Sequence, residues 1–216
     1  MKVLVACEYS GRVRNAFLRR GHEVLSCDLL DSEDGGPHYK GDVRPLLRGL
    51  RWDLVVAHPD CTFLSKSGLR WLYQGGRRYN PDGSENPRDP ERWQNMLKAC
   101  AFYAECWSAV APRVAVENSD MHPYAKIELR RLGVPIDDAV LYQPWQFAAD
   151  EEDNVTKGLH LLTRGLPALT PSGKFDGSTA RAECHTASPG VNRWKERSRT
   201  RKAVADALAE QWGDIT

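Results

Sequence analysis

Apolar runs of strand length that alternate with helical patterns constrain this chain more than any other feature. "KVLVAC" at residues 2–7 has the continuous apolar character of a strand buried on both faces. A glycine turn and the helical spacing of Val13, Phe17 and Leu18 follow, closed by Gly21. "EVLSCDL" then reads as a second strand carrying Asp28. A strand, helix and strand in this order form the crossover that joins parallel neighbours in a sheet. "WDLVVAHP" and "RVAVEN" repeat the strand pattern, with "ERWQNMLKACAFYAECWSAV" as a long helix between them. "YAKIELRRLG" predicts a short helix, "AVLYQPWQF" and "KGLHLLT" two more strands, and "RKAVADALAEQWG" a last helix. The pattern predicts a Rossmann-like α/β fold, a mostly parallel sheet with helices on both faces.

A length of 216 residues suits one core, so residues 1–216 are expected to form a single domain with insertions. Regularity dissolves twice. Residues 66–90, rich in Gly, Pro, Arg and aromatics, are expected to be a mobile loop beside the active site. Residues 165–190 read as an irregular connection before the last helix. The opening "MKVLVACEYS" reads as a first strand rather than a signal peptide, and no apolar segment has the length of a membrane span. Cys7, Cys27, Cys61, Cys100, Cys106 and Cys184 are scattered without the paired spacing of a metal or redox site. No metal is therefore expected, and a reducing cytoplasm fits best, the host's if the protein is phage-encoded. A formal net charge of +1 says nothing of nucleic acid, so that reading rests on local clusters.

Ligands of such folds bind at the carboxyl ends of the strands. There the sequence places "CEYSG" with Glu8, Ser10 and Gly11, then Asp28, then Asp42 in "GDV", then Pro59, Asp60 and Cys61 in "HPDC", then Glu117 and Asn118 in "VENSD". An acidic residue ending the second strand, after a glycine turn ending the first, is placed to hold ribose hydroxyls. Each of these acids alone would serve equally as a helix cap, and Cys61 alone as a small apolar residue.

As a set they resemble the cytosine-C5 DNA methyltransferases. "CEYSG" stands in the place of that family's S-adenosylmethionine loop, Asp28 of its ribose-binding acid, and "GDV" of its adenine-contacting motif. "PDC" resembles the family's Pro-Pro-Cys motif and "VEN" its Glu-Asn-Val motif, with Ser119 where valine is usual. Over nearly its whole length the chain is similar to small phage and prophage DNA methylases, through "MKVLVACEYSGRVR", "QPWQF" and "RWKERSRT".

The resemblance implies the methyltransferase form of the fold, S-adenosylmethionine as cofactor, held by Glu8, Ser10, Gly11, Asp28, Asp42 and Pro59, and DNA as substrate. It makes Cys61 the nucleophile for cytosine C6, because the thiolate is the most nucleophilic side chain near neutral pH. Glu117 becomes the partner of N3, Asn118 the residue that holds the loop, and base flipping the means of access. Asp60 departs from the family, which has proline there. A carboxylate beside a thiol raises its pKa. Either Asp60 turns away or acts as base for the C5 proton, or the protein is an impaired homologue that still binds cofactor and DNA. Amino-group methylation is a further alternative, but its Asp/Asn-Pro-Pro-aromatic motif is absent.

Lys66, Arg70, Arg77, Arg78, Arg88 and Arg92 interleave with Trp71, Tyr73 and Tyr79 after the cysteine, a composition suited to phosphate contact and base stacking. "RWKERSRTRK" is the densest basic run, and basic residues opening a helix oppose its dipole unless an anion rewards them. Arg70, Arg77, Arg78, Arg193, Lys195, Arg197 and Arg199 are the expected DNA contacts. The interval from Ala148 to Gly190 is short for a target-recognition region, so a very short or loosely defined site is expected.

Overall fold

The computed structural model describes residues 1–182, 195 and 198–215. Seven strands form one sheet: β1 Lys2–Ala6, β2 Glu23–Asp28, β3 His38–Lys40, β4 Leu54–Ala57, β5 Arg113–Asn118, β6 Val140–Tyr142 and β7 Leu159–Arg164. Their order is β3-β2-β1-β4-β5-β7-β6. Strands β1 to β5 run parallel, and β7 lies antiparallel between β5 and β6. This is the expected α/β class, a Rossmann-like, mostly parallel sheet with helices on both faces. The order turns back between β1 and β4, which opens a crevice beyond their carboxyl ends.

The two-residue alternation of the central strands explains the sandwich. Leu4, Ala6, Val55, Ala57, Val114 and Val116 face one side, where α2 (Arg44–Gly49), α3 (Pro90–Trp107) and α4 (Pro123–Arg131) pack. Val3, Val5, Leu54, Val56 and Ala115 face the other, against Val13 and Phe17 of α1 (Arg12–Arg19) and Val204, Leu208 and Trp212 of α5 (Lys202–Gly213). A strand covered on both faces has no polar side to show. That is why these runs read as continuously apolar.

Local chemistry sets the helix starts. Asp89 accepts from the Arg92 N–H at 2.9 Å and Pro90 fills the first turn of α3. His122 Nδ1 accepts from the Tyr124 N–H at 3.3 Å ahead of Pro123 and α4.

Two expectations need correction. The strand expected over "AVLYQPWQF" ends at Tyr142, because the Gln146 side chain bonds the Gln143 N–H at 2.6 Å and Pro144 opens a 3₁₀ turn over Pro144–Gln146. A further strand, β3, forms at the sheet edge from residues without apolar alternation.

Residues 66–90 form a hairpin-like excursion. Gln74 N–H bonds Pro87 O at 3.0 Å and Asp89 N–H bonds Leu72 O at 2.9 Å, so the two arms run side by side. Leu69 and Leu72 anchor it in the core. The described part of the connection, 165–182, is irregular, as the sequence suggests. Among the described residues, no helix is long and apolar enough to cross a membrane.

Candidate functional site

The crevice has two lips. On the first, β1 ends in Cys7, whose φ of 60° starts a tight exit, and Gly11 takes a φ of 70° where a Cβ would collide with Arg14 and Asp34. The buried Glu8 carboxylate accepts from Val13 N–H at 2.7 Å and Arg14 N–H at 3.1 Å. It thereby caps α1 in place of an external anion. Ser10 Oγ donates to Glu8 at 3.4 Å. The buried Arg14 guanidinium spans Ser26, Ser32 and Asp34, locking the loop after β2 to α1.

Asp28 ends β2 half-buried, and its Oδ1 accepts from Leu30 N–H at 3.0 Å. Burial raises its carboxyl pKa, outweighing that bond and the neighbouring His38. Asp42 is committed elsewhere, because it is exposed, accepts from Arg44 N–H at 3.0 Å and pairs with the Arg44 side chain at 3.1 Å.

The second lip joins the ends of β4 and β5. Ala57 is in register with Val116, so the next residues, His58 and Glu117, leave the sheet side by side. His58 N–H continues the ladder to Ala6 O at 2.9 Å, and His58 Nδ1 lies 3.3 Å from Glu117 Oε2. One step on, buried Asn118 donates from Nδ2 to Pro59 O at 3.0 Å. Asn118 thus fixes the turn that delivers Cys61.

Asp60 Oδ1 accepts from both Thr62 N–H at 2.9 Å and Thr62 Oγ at 2.7 Å, an Asx turn that starts the loop. Leu64 and Ser65 N–H bond back to Cys61 O at 3.0 and 2.9 Å, while Lys66 N–H reaches Asp120 O and His122 N–H reaches Leu64 O. The loops after β4 and β5 are therefore stitched into one unit. Gly68 belongs to it too, since a Cβ there would lie 1.8 Å from Thr62 O.

Electrostatics divide the pair of presumed chemical groups. Cys61 is an exposed residue, yet protein crowded around its sulfur raises the thiol pKa, with Asp60 and Glu117 adding to the rise and the Ser119 hydroxyl opposing it. For Glu117, burial pushes upward, but the His58 hydrogen bond and charge, then Lys157 and His160, hold the carboxyl below its usual range. Glu117 is a carboxylate at neutral pH.

Among the described residues the buried His58 Nε2 and Asn118 Oδ1 stand at this second lip without a partner, and Ser119 Oγ has only the Cys61 sulfur beside it. That concentration marks where a ligand or water belongs. His58 and Ser119 were not among the residues the sequence singled out for catalysis. The signal for His58 was its place directly after a buried strand.

The excursion after Cys61 carries its cations on aromatic rings. The Arg70 guanidinium stands 5.1 Å over Trp71, Arg78 5.1 Å over Tyr79 and Arg88 4.0 Å over Trp93. Arg78 also pairs with Glu85 at 2.9 Å and donates to Tyr124 Oη at 3.0 Å, whereas Arg77 is exposed. In the second basic run, Arg199 grips Glu33 at 2.7 and 3.0 Å, and the Tyr9 hydroxyl donates to Lys195 O at 2.7 Å. Lys195 and Arg199 thus contact residues of the first lip and of the loop after β2. Arg193 and Arg197 lie outside the described residues. No group of three or more metal-ligating side chains occurs among the described residues.

Fold and strand ends together define a Rossmann-like α/β protein with a polar cleft at the switch of strand order. No family model matches the chain, and no curated protein matches it. Among solved structures it is similar to a protein described as a prophage-encoded DNA modification methyltransferase from E. coli, at 11% identity and TM-score 0.44, over 76% of this chain and 46% of that one. It is also similar to a methyltransferase from Entamoeba histolytica, at 10% identity and TM-score 0.45, over 89% and 61%. A third is a 1,6-didemethyltoxoflavin-N1-methyltransferase from Burkholderia thailandensis with S-adenosylhomocysteine bound, at 14% identity and TM-score 0.38, over 75% and 70%. With 46% and 61% of the first two covered, the chain spans about half to three fifths of their length.

Proposed function

We propose that the protein is an S-adenosylmethionine-dependent methyltransferase acting on cytosine C5 of DNA. The observation that carries the reading is the convergence of Cys61, Glu117 and Asn118 on the joined ends of β4 and β5, beside the crevice where β1 turns away. The first lip suits this cofactor. A dinucleotide needs a helix N-terminus for its pyrophosphate, and Glu8 already fills that of α1 with a carboxylate. A cofactor with a ribose and no phosphate is compatible with that plug, and Asp28 would hold the ribose hydroxyls. Gly11 and Ser10 would line its approach, with Pro59 closing the floor. Asp42, turned to Arg44, contributes at most from the rim.

When bound, the cofactor supplies an electrophilic methyl group. The protein's own residues do the rest. Cys61 attacks C6 as thiolate, which makes C5 nucleophilic, while Glu117 bears the proton or hydrogen bond at N3. Asn118 keeps Cys61 in place through Pro59. Asp60, with one oxygen given to Thr62, serves the turn first. Exposed Arg70 and Arg77, with Arg78 stacked between tyrosines, suit the sugar-phosphate backbone and unstacked bases around a flipped nucleotide.

The raised thiol pKa of Cys61 favours one second reading, an impaired homologue that binds cofactor and DNA without turnover. Mass spectrometry of nucleosides from DNA incubated with protein and cofactor decides between them. 5-Methylcytosine is expected, and an N-methyl base or no product at any pH would overturn the proposal.

A further inference from the structure

We infer that His58 is a positioning residue for proton transfer: it stores, at Nδ1, the proton that Glu117 passes to the ring nitrogen of the target base. The inference rests on the cytosine reading above and deepens it. Register carries it, because Ala57 pairs with Val116 and so fixes His58 and Glu117 as neighbours whatever their side chains are. The side chains then meet at 3.3 Å, and the His58 side chain is only 10% exposed. Pro59 follows His58 and is itself tied to Asn118, so the ring has little freedom to leave.

The chemistry requires such a store. N3 gains basicity only as the thiolate adds to C6, and at that moment a proton must already stand within reach. Despite burial, Glu117 is held below its usual range by the His58 hydrogen bond and charge and then by Lys157 and His160, and has no proton of its own to give. Imidazole is the side chain whose ordinary titration spans neutrality, and a doubly protonated ring donates from both nitrogens. Its second nitrogen, Nε2, is buried and unpartnered among the described residues, as is Asn118 Oδ1. A ring that merely clamped Glu117 would need only Nδ1.

The step balances without an added reagent. The Cys61 sulfur forms its bond to C6, and electrons pass through C5 and C4 to N3. The proton on His58 Nδ1 passes to Glu117 and from Glu117 to N3, which leaves the carboxylate and a neutral imidazole. Once C5 is methylated, its hydrogen leaves as a proton to solvent and the sulfur–C6 bond breaks to restore the thiolate. N3 then returns its proton through Glu117 to His58.

Other titratable groups face this pair. Cys61, with Asp60 beside it, lies on the loop after β4, Lys157 and His160 before and on β7, and Tyr103 on α3. The test must therefore isolate His58 from them. Ring-nitrogen NMR of the whole protein, titrated as wild type and as Glu117→Gln, reads the pair without turnover. The wild-type Nδ1 signal is expected to be that of a protonated nitrogen hydrogen-bonded to the carboxylate, and to move in Glu117→Gln. An Nδ1 that carries no proton in the wild type, or a signal that ignores Glu117→Gln, would overturn the inference.

The pH–rate profile supplies the second reading. His58→Gln keeps a side-chain donor for Glu117 but cannot hold a transferable proton. It is expected to lower kcat about 10²-fold or more and to lose the alkaline decline of the wild type. Unchanged kcat with an unchanged profile would reduce His58 to a clamp and also overturn the inference. The expected Nδ1 signal in a wild type that makes no 5-methylcytosine at any pH would strike the cytosine reading and leave the proton-sharing pair supported.

Discussion

The two lips of the crevice are built from similar polar residues and use them in opposite ways. Around Glu8 and Arg14, buried charge is consumed internally: two helix N–H groups, two hydroxyls and a carboxylate are all matched. At the ends of β4 and β5, the backbone is just as firmly tied, yet His58 and Asn118 each present a buried polar atom to nothing among the described residues. A fully satisfied polar network specifies a shape, whereas an unsatisfied one has a standing cost that a ligand relieves. On the proposed reading the first lip is a frame for the cofactor, and the second is where chemistry is expected.

The sharpest test of that division sets Cys61→Ser against Glu8→Ala. Cys61 is exposed and no core contact depends on its sulfur, so the serine variant should keep its stability within about 0.5 kcal/mol. It should nevertheless form no covalent adduct with DNA carrying 5-fluorocytosine, where the wild type forms one in the presence of cofactor. An adduct that persists in the serine variant would remove Cys61 from its role.

Glu8→Ala should do the reverse. It strands two buried N–H groups of α1 and should cost about 2–3 kcal/mol by denaturant unfolding, the range of a lost charge-assisted cap. A loss below about 0.5 kcal/mol would mean that the first lip is not the frame argued here.

How much of this was open to the sequence follows from the same contrast. β1, β4 and β5 were legible because both of their faces are covered, which forces unbroken apolar runs. β3 was not, since an edge strand of three residues with two exposed side chains has no pattern to show. Cys61, Glu117 and Asn118 stood out as a set only through their resemblance to known motifs; the structure adds that Asn118 donates to Pro59 O. His58 was not legible, because its meaning depends on which residue of β5 stands opposite Ala57. No local pattern contains a register between strands 60 residues apart in the way that a helix contains its own. Glu8 and Asp42 illustrate a second limit: an acid at a strand end has one sequence appearance whether it awaits a ligand or caps a helix.

The excursion after Cys61 allows a smaller contrast between arginines of one segment. Arg78 already has Glu85 and Tyr124, while Arg70 is stacked and Arg77 is exposed. If phosphate contact is their function, Arg70→Ala and Arg77→Ala should each flatten the slope of log affinity against log salt by about 1. Arg78→Ala should change it less, because its charge is partly neutralised before DNA arrives. Equal slopes in all three variants and the wild type would move the DNA-binding surface elsewhere.

The smallest expected effect concerns Asp60, and the structure changes which substitution tests it. Replacement by proline would delete the Asx turn to Thr62 together with the charge, confounding loop shape with electrostatics. Asp60→Asn keeps an oxygen to accept both Thr62 bonds and removes only the charge. The sign follows from the causes acting on Cys61: crowding around the sulfur raises its pKa first, and the negative charges of Asp60 and Glu117 add to it. Thiolate therefore accumulates only as pH rises past neutrality. Deleting the Asp60 charge should slide the rise of iodoacetamide alkylation at Cys61 toward lower pH, and only slightly, since an exposed charge is screened by solvent and salt. The gap should close in high salt. Methylation should follow the same shift if Asp60 only burdens the thiol. If Asp60 takes the C5 proton, Asp60→Asn should instead lower the rate at every pH by about 10²-fold or more while the alkylation curve still moves. Coincident alkylation curves at low salt would show that the charge of Asp60 does not reach the sulfur, and that its place before Cys61 is a matter of turn geometry alone.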